Sequence, residues 1–176
     1  MRSIILGAAA IVITAAHAGE GGKVRLELTP LEFLVGSCWQ GEFPDGNQID
    51  THCFDAVYDG AHIRDRHAVT GGPSVYLGET IYSWNGEAEA ISYVYWNSLG
   101  GVSTGTATPT QGLFSFPNET YKGPNGEEIL VSASWENIDS NGYDSLSVET
   151  YSNGQTRERR VRYHKRPFTT DPANAR

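Results

Sequence analysis

The sequence predicts an all-β protein: a single antiparallel up-and-down β-barrel of about nine to ten strands, opened by a short helical turn. Three observations carry this. Tyr, Trp, Val, Ile, Thr and Ser dominate the composition, with 20 Gly and a single Met in 176 residues, which is the flavour of strand formers. From Cys38 onward, short strand-like runs recur at roughly 10–13-residue spacing, with Gly, Asn or Asp at nearly every break. Helical periodicity is almost absent.

The first residues are expected to be a targeting segment. Met1-Arg2-Ser3 is a short basic start, and Ile4 to Ala15 is apolar or small. That run matches a signal-peptide core and is too short to span a bilayer comfortably. Ala16-His17-Ala18 fits an A-x-A cleavage site. The predicted organisation is a signal peptide over 1–18, an extension over 19–28, a barrel over 29–166 and a flexible tail over 167–176. Cleavage after residue 18 leaves 158 residues, a length that suits one domain with one core. Those residues hold 12 basic and 21 acidic side chains, a formal charge of −9. Such a balance excludes nucleic acid and anionic lipid as partners. No later stretch is apolar enough for a membrane span, so the chain is expected to be exported, periplasmic or extracellular, without stable membrane insertion.

"TPLEFLVG" is the one helical turn: Thr29 caps, Pro30 suits the first position, Leu31 and Leu34 plug something, and Gly36 stops it. Then "SCWQGEF", "QIDTHCFDAV", "HIRDRHAV", "SVYLGETIYSW" and "EAISYVYWNS" read as strands. "VSTGTATPT", "GLFSF", "ILVSASWENI", "YDSLSVETYS" and "QTRERRVRYHKR" continue the meander. Asn85-Gly86 and Asn153-Gly154 are the strongest hairpin signals. A first turn centred on Asp45-Gly46 sets Cys38 opposite Cys53, within disulfide range. Pro44 cannot donate the bond that a two-residue turn wants, so a longer loop and a slipped register stay open. Two free buried thiols are the alternative to the bridge.

"FLVGSCWQG", "VYDGAHIRDRH", "GETIYSWN" and the closing "RVRYHKR" carry a resemblance. Residues 31–166 resemble bacterial secreted lipocalin-like, calycin-related barrels of unknown function, and are more distantly similar to nitrobindin-type haem barrels. The resemblance implies that Trp39 plugs one barrel end. The lipocalin pattern is G-x-W, whereas Gly36 and Trp39 here make G-x-x-W. The nitrobindin similarity implies a haem-binding His near the last strands, for which His164 is the one candidate. It shares a strand face with Arg160 and Arg162, which speaks for solvent, so no haem or other cofactor is expected.

Strand parity nominates a lumenal group. Ala61, Ile63, Asp65, His67 and Val69 form the apolar face of their strand, taken as inward. Val75, Leu77, Glu79 and Ile81 are taken as inward on the next, although the opposite face, Tyr76 to Trp84, is aromatic too. Ile91, Tyr93, Tyr95 and Asn97 follow. Asp65, His67, Glu79, Tyr93, Tyr95 and Asn97 are the candidate ligand-binding set. Buried ionisable groups need partners. This set is therefore either a ligand site in an aromatic-walled cavity or a self-satisfied network in a filled barrel. One His with two carboxylates is a weak metal pattern, and no metal is expected. No G-x-S-x-G or other nucleophile context occurs, so no catalytic residue is nominated. The expected function is binding of a small, partly apolar molecule. The alternatives are a hydrolase or isomerase using His67 with Glu79, and a structural or envelope protein. "RERRVRYHKR" reads as a last strand with a solvated face, and Asn118-Glu119-Thr120 matches a glycosylation sequon.

Overall fold

The computed structural model describes residues 23–175 and, at Asn118, the backbone alone. The expected signal peptide over 1–18 and the first part of the expected extension lie outside the described residues, as does the sequon side chain.

Ten antiparallel strands close into one barrel. They are β1 (Ser37–Glu42), β2 (Ile49–Val57), β3 (His62–Thr70), β4 (Tyr76–Asn85), β5 (Ala90–Asn97), β6 (Val102–Thr110), β7 (Leu113–Lys122), β8 (Glu128–Glu136), β9 (Gly142–Tyr151) and β10 (Thr156–Pro167). Each pairs with the next, and β1 pairs with β10, so no edge strand remains among the described residues. β7 runs on through Pro117, where the sequence suggested a break. A proline has no N–H to give the ladder, and the register with β8 shifts between Phe116 and Glu119 to accommodate it. Asn85 opens a four-residue loop, its Oδ1 accepting from the Glu87 and Ala88 amides.

A 3₁₀ helix, Leu26–Leu34, closes one end of the barrel. It starts three residues before the expected cap at Thr29, and Pro30 lies inside it. The helix type has a local cause. Leu28, Leu31 and Leu34 are spaced by three, the period at which 3₁₀ side chains eclipse, and all three are fully buried. The domain therefore begins earlier than residue 29. Gly36, at φ 74°, turns the chain out of the helix. Trp39 then enters the barrel, fully buried, and donates from Nε1 to the Leu34 carbonyl at 3.1 Å. Its ring meets Phe33 at 5.8 Å and Tyr143 at 5.5 Å. The extra residue relative to G-x-W leaves the Trp pointing inward.

β1 and β2 pair Cys38 with Cys53, and the two form a disulfide. The turn between them is longer than two residues, since the Phe43 amide donates to the Gln48 carbonyl, yet the register is the expected one. The bridge lies on the outer wall beneath the C-terminal segment. That segment was expected to be flexible over 167–176, and its described residues instead pack down. The Thr169 amide donates to Cys38 Sγ, the Arg66 guanidinium donates to the Thr170 carbonyl, and Pro172 is buried in a short 3₁₀ turn, Pro172–Asn174. The disulfide and the β3 wall supply the surface that this segment covers, which its short polar sequence does not advertise.

The core is the barrel interior: Phe54, Ile63, Tyr82, Ile91, Phe114, Phe116, Trp135, Tyr143 and Tyr163 among others. The outer wall carries charges, including the Arg64–Asp55 and Arg162–Asp139 pairs. No helix among the described residues is long and apolar enough to cross a membrane.

Candidate functional site

Side chains at alternate positions of β2 to β5 converge inside the barrel. The register sets His52 of β2 opposite His67 of β3, and Phe54 opposite Asp65. The two imidazoles stack with centroids 4.6 Å apart and planes 12° apart. His52 is held at both nitrogens, Nδ1 against Asp65 Oδ2 at 2.8 Å and Nε2 against Asp50 Oδ2 at 3.1 Å. His67 Nδ1 donates to Asp50 Oδ1 at 3.1 Å, and its Nε2 meets the Tyr95 hydroxyl at 3.2 Å. Tyr163 donates to Asp50 Oδ2 at 2.8 Å, and Tyr95 is linked on to Tyr76.

The electrostatics follow from these contacts. Burial alone would push the Asp50 carboxyl up. The charge and hydrogen bond of His52, joined by His67, overcome this and hold it far below the usual carboxylate range. Burial alone would push His52 down. The charges of Asp65 and Asp50, with a hydrogen bond to each, raise it well above an ordinary histidine. His52 is thus an imidazolium between two carboxylates.

A cavity of about 290 Å³ opens beside this group. Asp50, His52, Asp65 and His67 form its polar end, and Tyr82, Tyr93, Tyr95, Phe116 and Trp135 its aromatic walls. A second cavity, about 350 Å³, lies at the barrel mouth under Phe43, Tyr76 and Arg159. Asp50, His67 and Tyr95 line both, so they partition the mouth from the inner lumen. At the far wall Glu119 accepts from Tyr93 and, at 3.2 Å, from Ser103. Burial raises the Glu119 carboxyl above its ordinary value, and these two bonds offset only part of the effect.

Two glycines make the room. A Cβ on Gly78 would collide with the His67 ring and Tyr95, and one on Gly105 would collide with the Tyr93 hydroxyl. The absent side chains let the rings lie flat over the sheet.

Of the six nominated residues, Asp65, His67, Tyr93 and Tyr95 come together around the inner cavity. Asn97 faces the rim instead. Its Oδ1 caps the β5–β6 turn through the Leu99 and Gly101 amides, and its Nδ2 donates to the Tyr121 hydroxyl. Glu79 is a correction. It lies on the outer wall with Arg64, Ile81 and Trp96. The inward face of β4 is the aromatic one: Thr80 and Tyr82 are buried, while Leu77 is 46% exposed. The aliphatic face was taken for the core, but the lumen is walled by aromatics and the aliphatic side chains are left outside. Among the described residues no hydrogen bond joins His67 to Glu79, which leave opposite faces of the sheet, although both border an outer cavity of about 470 Å³ beside Gly78 and Asn97. His164 is exposed on the outer face, as its parity implied.

Asp50, His52 and Tyr163 were not nominated. The predicted hairpin register carried the signal for two of them: setting Cys38 against Cys53 sets Trp39 against His52 and Gly41 against Asp50. An inward Trp39 makes both inward. Glu119 was hidden by the bulge at Pro117, which breaks parity.

Asp50, His52 and His67 offer donor atoms within 4.8 Å of one another, as a metal site requires. The rings argue against a shared ion. A metal lies close to the plane of each imidazole that binds it, and two nearly parallel stacked planes have no such common point. As arranged, the cluster is a hydrogen-bonded charge network rather than a chelate.

No protein-family model matches the chain, and no curated protein matches it. The closed antiparallel barrel is consistent with a calycin-like fold.

Proposed function

We propose that this chain is an exported binding protein that takes a small, partly apolar molecule into the barrel lumen, and that it belongs with the lipocalin-like barrels it resembles. The observation that carries the proposal is the inner cavity of about 290 Å³, walled by Tyr82, Tyr93, Phe116 and Trp135 and closed on one side by a fixed polar cluster. Binding sites for small molecules combine such apolar walls with a few placed polar groups. Gly78 and Gly105 let the His67, Tyr95 and Tyr93 rings lie back against the sheet, so that these rings wall the cavity. Export is supported by the disulfide, which persists in oxidising compartments, and by the apolar start of the sequence. The charged outer wall suits water rather than lipid. We assign no haem, and His164, the candidate ligand for one, stands outside the lumen.

The test is a titration of the purified protein with 2-phenylethanol, followed by calorimetry, on the wild type and on Ala133→Phe. Ala133 borders the cavity, and the added ring fills it at about 1–3 kcal/mol in stability. Saturable binding that vanishes in a folded Ala133→Phe variant is the expected result. Binding unchanged by the filled cavity would place the site elsewhere and sink the proposal.

A further inference from the structure

One atom of the polar cluster is unmatched. Asp65 is 2% exposed, and its Oδ2 accepts from His52. Its Oδ1 is buried and finds no hydrogen-bond donor among the described residues. A buried acceptor left unpaired costs about 1–3 kcal/mol, and more when it is charged. The neighbours cannot turn to relieve it. His52 is held at both nitrogens and stacked on His67, and β3 is fixed by its register on both sides. Asp65 lines the inner cavity, so a turn of its own carboxyl group would present Oδ1 to a donor arriving there.

The surroundings specify what that donor is. Among the described residues, the cavity lining holds three carboxyl groups, two imidazoles and no Lys or Arg. An anionic ligand would lie against Asp50 and Asp65, and the one cation of the lining, His52, is already engaged at both nitrogens by those two carboxylates. The walls are the electron-rich faces of Tyr82, Tyr93 and Trp135, which attract a cation and repel an anion.

Resting on the reading of the lumen as a ligand site, we propose that its ligand is a cationic amine on an apolar or aromatic body, its ammonium donating to Asp65 Oδ1. The ammonium supplies both the hydrogen bond and the charge that the cluster lacks, and the apolar body takes the aromatic wall. The ligand leaves Asp50, His67 and Tyr95, which are already paired, undisturbed between lumen and mouth.

Three ligands of one shape decide it: 2-phenylethylamine, 2-phenylethanol and 3-phenylpropanoate, titrated calorimetrically into the wild type at pH 7. The amine is expected to bind at least about tenfold more tightly than the alcohol, as a desolvated charge–acceptor and cation–π contact implies, with the carboxylate weakest. Asp65→Asn should erase the advantage of the amine over the alcohol. Alcohol and amine binding alike, as a buried water on Oδ1 would give, overturns the amine proposal while the lumen remains a ligand site. The carboxylate binding best overturns it too. If none of the three binds, the amine proposal falls together with the reading beneath it. The wild-type ranking stands whether or not Asp65→Asn folds.

Discussion

At the scale of single residues, the lumen is governed by where protons reside. Asp50 is held ionised, and its contribution to stability is present above its unfolded value near pH 4 and lost as pH falls through its depressed folded value. His52 is held protonated, and its contribution is full below an unfolded value near 6.5 and lost as pH rises through its raised folded value. Both are fully present together between about pH 4 and pH 6.5. The thermal midpoint should therefore peak in that window and decline above it. His52→Gln, which leaves two carboxylates facing an uncharged amide, should lose about 3 kcal/mol at pH 5 and show a flatter alkaline decline. Parallel alkaline slopes in wild type and variant would remove His52 as the cause. Asp65 and His67 were legible because they share a strand face with Ile63 and Val69. Asp50 and His52 were not read, because β2 alternates polar and apolar residues too evenly for its inner face to announce itself. Only their pairing with β1 reveals it.

At the scale of elements, the N-terminal 3₁₀ helix makes the barrel a cup. The Leu28, Leu31 and Leu34 side chains and Trp39 fill the closed end, and the cavity occupies the part they leave. Leu31→Ala removes a fully buried side chain from that plug and should cost about 2–5 kcal/mol. Urea denaturation checks it. A loss under 1 kcal/mol would mean that the helix is a lid resting on a barrel that closes without it. Strand existence was legible nearly throughout, because Gly, Asn and Asp mark the turns. Strand inner faces were less so. Period-two parity gives two faces but not which is inside, and in β4 the aliphatic set Val75, Leu77 and Ile81 outbid the aromatic set that forms the wall. The packed C-terminal segment left no signal at all, since a single buried Pro172 and main-chain bonds to Cys38 and Arg66 hold it.

At the scale of the whole molecule, a closed barrel must join its first strand to its last, the contact of greatest chain separation and so the costliest to close. That seam is short here. β1 meets β10 over four register pairs, from Ser37 with Pro167 to Gln40 with His164, whereas β9 meets β10 over nine. Two devices reinforce it: the disulfide that ties β1 to β2 and the C-terminal segment that folds from β10 across Cys38. The bridge closes a 15-residue separation, worth about 3 kcal/mol in the chain-entropy account. If its role is to hold the seam, its removal should act locally. In a Cys38→Ala, Cys53→Ala double variant, amides of residues 38–42 and 163–166 should exchange about a hundredfold faster, the factor that 3 kcal/mol implies for an opening reaction. Amides of β5 and β6, on the far side of the barrel, should change much less. Hydrogen exchange followed strand by strand distinguishes the outcomes. Uniform acceleration in every strand would show that the barrel opens only by unfolding as a whole, and that the disulfide stabilises the fold without guarding the seam.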